Sequence, residues 1–338
     1  TAYEIVSRDW SSDVCSSDLF SIDYFALMSN QVRSYLREQR LRVLFYYHEG
    51  DNPHHEKARL DDLCHQHNLP TDCYRFISGN TQADVLENFV YFADHELFYW
   101  RNGVVWNDRP QIGCEPHSFP RQRDFTFLSR VHKWSRATTA AYLHREGIFN
   151  NSYWSYGNVD IGDRYEDNPI QIHEFPGLEE YMQNFLANGP YRCDDLNATE
   201  HNSHWMFVPE HFNNSYCHLV LETFFDADGS RGCFISEKVF KPIRHGQPFV
   251  VFGTPYTLET LRRLGYRTFD QHIDNSYDSV EDNTERFKLC VESVKKIKNQ
   301  DMHAWYQRCL PDIIYNRERF INSEYKRSRL RQLVKSIL

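Results

Sequence analysis

Lys238, Glu222 and Glu237 are the side chains whose types and spacing bear most directly on chemistry, and they lie in one stretch, Tyr216–Phe269. Residues 218–223 (HLVLET) and 248–253 (PFVVFG) are short apolar runs, the composition of strands buried on both faces. Between them Ser236-Glu237-Lys238 precedes Val239, Phe240 and Ile243, and Gly246 closes the run. Ser236 suits a helix N-cap, and Gly246 suits the residue just past a helix end. The unit reads strand, loop, helix, strand. Parallel sheets built from such units bind ligands at the carboxyl ends of their strands. A helix N-terminus already attracts anions, and Lys238 in the first turn adds a full charge, so a diphosphate is the expected ligand. Glu222 ends an apolar run at the same sheet edge, where a carboxylate can accept two hydrogen bonds from ribose or sugar hydroxyls. Glu237 has two readings, a ligand for the same hydroxyls or a first-turn acid that stabilises the helix dipole.

Arg136 lies in LSRVHKWSRATTAAYL, where strand, loop and helix recur, with the helix beginning near Ser135. A guanidinium offers a fixed fork of donors that matches phosphate oxygens. Arg130, at the strand end, is the second candidate, and a helix-surface arginine is the plain alternative for Arg136. Asp226-Ala227-Asp228 also follows an apolar strand, and two hard carboxylates suit Mg²⁺ or Mn²⁺. Its Gly-Ser-Arg-Gly continuation reads instead as a surface loop, and three residues are weak ground for a metal site. The histidines, among them His54, His55, His201 and His204, show no strong metal spacing. No metal and no cofactor is therefore expected. Asn150, Asn197 and Asn213 stand in N-x-S/T sequons, which matter only in a secreted chain.

Glu222-Thr223, Ser236-Glu237-Lys238 and Gln247-Pro248-Phe249-Val250-Val251 resemble the matching pieces of fucosyltransferase-like glycosyltransferases of family ten. There an apolar strand ends in Glu-Asn, a helix starts at Thr-Glu-Lys, and a Pro-led strand follows. The likeness is specific over about 40 residues. Thr223 replaces the family's Asn, and Phe234 stands where a Tyr is usual. The resemblance implies that Lys238 and Arg136 bind the diphosphate of a nucleotide-sugar donor, usually GDP-fucose. It also implies transfer with inversion and without a metal. Inversion needs a base for the acceptor hydroxyl. Phe45-Tyr46-Tyr47-His48-Glu49 is similar to the family's Phe-Tyr-Thr-Gly-Glu-Asn, which gives Glu49 that role, with His48 and Asp51 as substitutes in the same loop. A polar turn that merely ends a strand is the other reading of this loop.

Positioning these residues requires strands and helices in alternation. Residues 41–47 and 73–77 read as strands, and 24–39, 56–67 and 81–93 as helices. Further along, 125–129, 170–175 and 266–269 read as strands, and 136–146, 178–187, 257–264 and 281–298 as helices. Residues 207–214 read as irregular and the last 40 as helical. The fold class is α/β, with two Rossmann-like domains facing a cleft, the GT-B architecture that the resemblance also implies. Residues 20–115 form the acceptor-side domain, 116–124 the linker, 125–323 the donor-binding domain and 324–338 a basic C-terminal helix. Arg8–Leu19 (RDWSSDVCSSDL) looks like a translated sequencing adapter, so residues 1–19 are expected to lie outside the fold.

The chain has 338 residues, enough for two domains. Its 47 acidic residues exceed its 38 lysines and arginines, which argues against nucleic acid as a partner. The nine cysteines show no CxxC pair and read as thiols of a reducing compartment, which places the chain in the cytoplasm. No apolar run reaches the roughly 18 residues of a membrane span. Residues 317–338 carry seven basic side chains against two acidic ones, with Leu330, Leu333, Val334 and Ile337 as an apolar stripe. That segment reads as a helix docked on the body or as a peripheral contact with the inner membrane face. The function expected is glycosyl transfer from a nucleotide-sugar donor to a glycan or lipid-linked acceptor. The alternatives are a non-catalytic nucleotide-sugar-binding protein and a metal-dependent transferase using Asp226 and Asp228.

Overall fold

The apolar runs that read as strands become two four-stranded sheets, both parallel throughout. The computed structural model describes residues 2–6, 22–47, 50–100, 116–159, 168–193, 208–226 and 232–337. In chain order these form β1 (Ala2–Val6), α1 (Asn30–Arg37), β2 (Leu41–Tyr47), α2 (Pro53–Gln66), β3 (Tyr74–Ser78), β4 (Phe89–Tyr91) and α3 (Asp94–Trp100). Next come β5 (Arg123–Val131), α4 (Trp134–Arg145), β6 (Tyr153–Val159), α5 (Leu178–Ala187), α6 (Pro209–Asn213) and β7 (Ser215–Leu221). The chain closes with α7 (Glu237–His245), β8 (Phe249–Phe252), α8 (Thr257–Arg263), α9 (Asn283–Lys298), α10 (Met302–Ile321) and α11 (Ser323–Ile337). The protein is a mixed α/β chain.

Two compact units divide it. One comprises Thr1–His95, Asp228–Phe234 and Lys326–Leu338, the other Glu96–Ala227 and Ile235–Tyr325. The change of unit falls at His95/Glu96, upstream of the 116–124 linker read from composition, and β5 begins at Arg123, inside that stretch. Residues 232–234 join the first unit because their backbone pairs there: Thr81 N–H donates to Cys233 O at 2.9 Å, and Cys233 N–H to Thr81 Oγ1 at 2.9 Å. Phe234 packs so closely on Gly50 that a Cβ there would come within 2.2 Å of the ring.

The first unit's sheet runs β1-β2-β3-β4. β1 corrects the expectation that residues 1–19 stand outside the fold: residues 2–6 pair with 41–45 of β2. Residues 7–19 lie outside the described residues. In the core Phe45, Tyr74, Phe76 and Phe89 pack together, Phe76 and Phe89 stacking at 4.6 Å. α2 starts three residues earlier than its periodicity suggests, because Asn52 caps it and Pro53 fits its first position. α1 likewise begins only at Asn30, where Ser29 caps it. Residues 81–93 do not form the expected helix. Asn80 caps a 3₁₀ turn over Thr81–Val85, and Asn88 adopts φ 68°, which a helix cannot continue through. Val85, expected inward, is exposed, and Phe89 joins β4 instead.

The second unit's sheet runs β6-β5-β7-β8. Every residue of β7 and β8 is buried, as their unbroken apolar runs indicate. β6, which the sequence did not announce, contains Gly157, where a Cβ would meet Arg130 O at 2.7 Å. Residues 170–175 form no strand but hold a 3₁₀ turn at Ile172–Glu174, and Pro209–Asn213 is helical with Pro209 in the first turn. Residues 266–269 form no strand either. Asn316 of α10 takes both backbone groups of Arg267, so that segment needs no sheet partner. No disulfide joins the described cysteines, although Cys64 and Cys73 bring their sulfurs to 3.8 Å. Among the described residues no helix is long and apolar enough to cross a membrane.

Two buried histidines make this unit acid-sensitive. His218 of β7 stacks on Phe212 at 5.4 Å, and His245 of α7 lies 4.8 Å from the same ring with Tyr99 Oη at 3.0 Å. Burial pushes His218 down to about 3 and His245 well below its usual value. The unfolded chain takes up these protons below about pH 6.5, whereas the folded chain resists. Their contribution is therefore whole above pH 6.5 and lost as pH falls toward 3, at roughly 1.4 kcal/mol per pH unit for each histidine. Urea midpoints should fall steadily from pH 6.5 to 5, less steeply for His245→Gln. A midpoint that stays constant over that range contradicts this account.

Candidate functional site

The order β6-β5-β7-β8 means that the chain leaves β5 in one direction to build β6 and in the other to build β7. Sheets of this kind open a crevice at the carboxyl ends of the two strands flanking that reversal. β5 and β7 pair only from Arg123/Ser215 to Thr126/His218, so their last residues separate. His132 and Lys133 follow β5 at this edge, and Glu222 and Thr223 follow β7.

α4 begins directly after β5. Its N-cap is Lys133, whose side chain makes no capping hydrogen bond, so the first-turn N–H groups gain no side-chain acceptor from that position. Arg136, in the first turn, donates from Nη2 to the backbone oxygen of Glu222 at 3.0 Å. Lys133 lies with Nζ 5.1 Å over the ring of Phe224. Both cations are buried. The other side of the crevice is the start of α7. Ser236 caps that helix, its Oγ accepting from Lys238 N–H at 3.3 Å, and Gly246 ends it at φ 74°. Both positions agree with the sequence reading.

Glu222 holds local structure in addition to standing at the sheet edge where it was expected. Its Oε2 accepts from Ser236 Oγ at 2.5 Å, from Ser236 N–H at 3.3 Å and from Thr223 N–H at 3.2 Å. The carboxylate thus clamps the start of α7 to the end of β7. Oε1 has no hydrogen-bond partner among the described residues. Burial raises the pKa of this carboxyl, while Lys238 and the Ser236 hydrogen bond oppose the rise. Lys238 Nζ lies 3.2 Å from Thr223 Oγ1, 3.2 Å from Ser236 Oγ and 3.3 Å from Glu237 Oε1, with about a third of its side chain exposed. Glu237 stands in the first turn of α7 and is buried. Lys241, one turn further along α7, has its pKa lowered by burial, an effect that Glu237 offsets.

The structure therefore gathers Arg136, Glu222, Glu237 and Lys238 at one sheet edge and adds Lys133, which sequence reading passed over, as it did Lys241 one turn further along α7. Lys133 stood in the loop before a recognised helix, and Lys241 at three and four residues from Lys238 and Glu237. The second spacing was available as a signal. Arg130 is exposed on β5. Glu49 and His48 lie outside the described residues, as do Asp228, His201 and His204. Asp51 accepts from Tyr47 Oη at 2.5 Å. Asp226 accepts from Asn283 Nδ2 at 3.4 Å, and no group of three or more His, Cys, Asp or Glu side chains that could hold a metal occurs among the described residues.

No family model, curated protein or solved structure matches this chain.

The clamp can be tested by stability. Glu222→Ala strands three donors, two of them buried, and should cost about 2–4 kcal/mol. Glu222→Gln can turn its amide oxygen onto those donors and should cost less than about 1.5 kcal/mol. Urea unfolding at neutral pH distinguishes the two. Equal losses would mean that charge, rather than the acceptor geometry, holds the helix start.

Proposed function

We propose that this chain is an inverting, metal-independent glycosyltransferase that takes a sugar from a nucleotide donor. One observation carries the reading: three cations, Lys133, Arg136 and Lys238, make their contacts with the residues that follow β7, Phe224, Glu222 and Thr223, against two carboxylates, Glu222 and Glu237. A helix start without a side-chain cap faces the same edge. Fixed positive groups and helix N–H donors suit a leaving diphosphate, whose charge grows as the bond to the sugar breaks. On this reading the cations supply what a divalent metal supplies elsewhere, and the Asp226/Asp228 pair is not needed.

In the proposed reaction an acceptor hydroxyl oxygen attacks the anomeric carbon of the donor sugar. The bond from that carbon to the diphosphate oxygen breaks, and its electron pair leaves on the diphosphate. The hydroxyl proton passes to the Glu49 carboxylate, the base that the resemblance assigns. The two compact units would be the two Rossmann-like domains of a GT-B enzyme, with the donor on the second. GDP-fucose is the first donor to try, because it is the family's usual one. A glycan or lipid-linked acceptor is proposed, with the protein acting in the cytoplasm. The basic helix α11, on which Leu330 and Val334 are exposed, would make peripheral contact with a membrane.

Lys238→Ala should weaken binding of GDP by roughly 10- to 100-fold, the share of a charge-assisted phosphate contact. Glu49→Gln should bind GDP normally and lose transfer. Calorimetric titration and a transfer assay in excess chelator read both outcomes. Transfer that stops with chelator and returns with Mn²⁺ would overturn the metal-independent mechanism. Full GDP affinity in Lys238→Ala would remove the diphosphate site.

A further inference from the structure

We infer that Trp134 is a stacking platform for the nucleobase of the donor, an inference that rests on the diphosphate site proposed above. Trp134 is the first residue of α4, directly after Lys133 and two residues before Arg136. It is 37% exposed, where most large apolar side chains of this unit are buried. Its position is not that of a loose surface aromatic. His132 meets the indole edge-on, with centroids 5.0 Å apart and planes at 79°. His132 is itself held by Tyr156, its Nδ1 2.8 Å from the phenol oxygen. Tyr156 is fully buried on β6, opposite Ser129 of β5. Arg136 acts on the Tyr156 hydroxyl, opposing the rise that burial imposes on it. A chain of contacts therefore runs from the core of the sheet to the indole, and passes the cation assigned to the diphosphate.

An aromatic ring backed in this way holds its orientation with little further loss of side-chain freedom on binding. Over a third of Trp134 is exposed, and it stands in the chain between Lys133 and Arg136. A nucleoside diphosphate matches both parts: phosphates for the cations and a planar base for the indole. Stacking of one base on an aromatic side chain gives roughly a 5- to 150-fold effect on alanine substitution, whichever base it is. The contact is of no use to inorganic pyrophosphate, which has no base. The platform thus separates recognition of the nucleoside from recognition of the charge.

The test compares wild type, Trp134→Ala, Trp134→Phe and Lys238→Ala by calorimetric titration with GDP, UDP and inorganic pyrophosphate. Trp134→Ala should weaken GDP roughly 10- to 100-fold and leave pyrophosphate unchanged. Trp134→Phe should retain most of the GDP affinity. UDP, with its smaller base, should lose less than GDP on Trp134→Ala. Lys238→Ala should weaken all three ligands. Circular dichroism and the urea midpoint confirm that the exposed substitution leaves the fold intact. If Trp134→Ala binds GDP as wild type does while Lys238→Ala does not, the platform is wrong and the diphosphate site stands. If Trp134→Ala loses pyrophosphate as much as GDP, the indole only shapes the helix start, and the platform is again wrong. If wild type binds neither nucleotide nor pyrophosphate, the diphosphate site falls and the platform with it.

Discussion

A buried carboxylate lashes three elements together where β5 and β7 part. The backbone oxygen of Glu222 receives Arg136 from α4, and its side chain receives Ser236 from the start of α7. Thr223 N–H completes the set. A buried carboxyl is costly unless it is hydrogen-bonded, and one oxygen here takes three donors while the other takes none among the described residues. Both helix starts take their positions from this one residue. The cations of the crevice stand at these helix starts: Lys133 and Arg136 on α4, Lys238 on α7.

The energetics of that arrangement run against stability taken alone. Burial lowers the pKa of Lys241, so the folded chain holds its charge at a cost. Lys238 adds a further positive charge that disfavours it, and Glu237 offsets the pair. α4 also lacks the side-chain cap that most helices of its length gain from Ser, Thr, Asp or Asn. A dianionic ligand of the kind proposed would offset these charges and the positive end of the α4 dipole together.

What the sequence revealed of this edge and what it hid differ for physical reasons. β7, β8 and α7 were legible because their signals are local: unbroken apolar runs, a Ser at the N-cap and a Gly past the C-terminus. The missing strand at 266–269 was not, because Asn316, about fifty residues away, satisfies Arg267. The helix expected over 81–93 fails at Asn88, whose left-handed backbone carries no signal in hydrophobic spacing. The clamp role of Glu222 was hidden in the same way. A Glu at a strand end looks like a ligand for hydroxyls, and only the placement of Ser236 shows that half of its acceptors are already in use. Lys133 had no apolar pattern to mark it, since its role comes from standing at the junction of two elements.

Arg286 supplies the comparison between a fully satisfied buried cation and the more loosely held Lys238. It is fully buried near the base of α9 and has five N–H donors. Gly253 O takes Nε at 3.1 Å, and Val280 O and Glu281 O take Nη1 at 2.8 and 3.0 Å. Phe225 O and Asn283 Oδ1 take Nη2. All five donors are thus in use, and the residue ties the loop after β7 to the loop after β8. Burial still lowers its pKa to about 10, so even complete satisfaction leaves a cost. A guanidinium in this state has nothing left to offer a ligand. Lys238 differs in each respect: its contacts are long, two of them go to neutral hydroxyls, and about a third of its side chain is exposed. A phosphate oxygen placed there would replace weak partners with a charged one, which is the condition under which a buried-edge cation binds rather than merely holds.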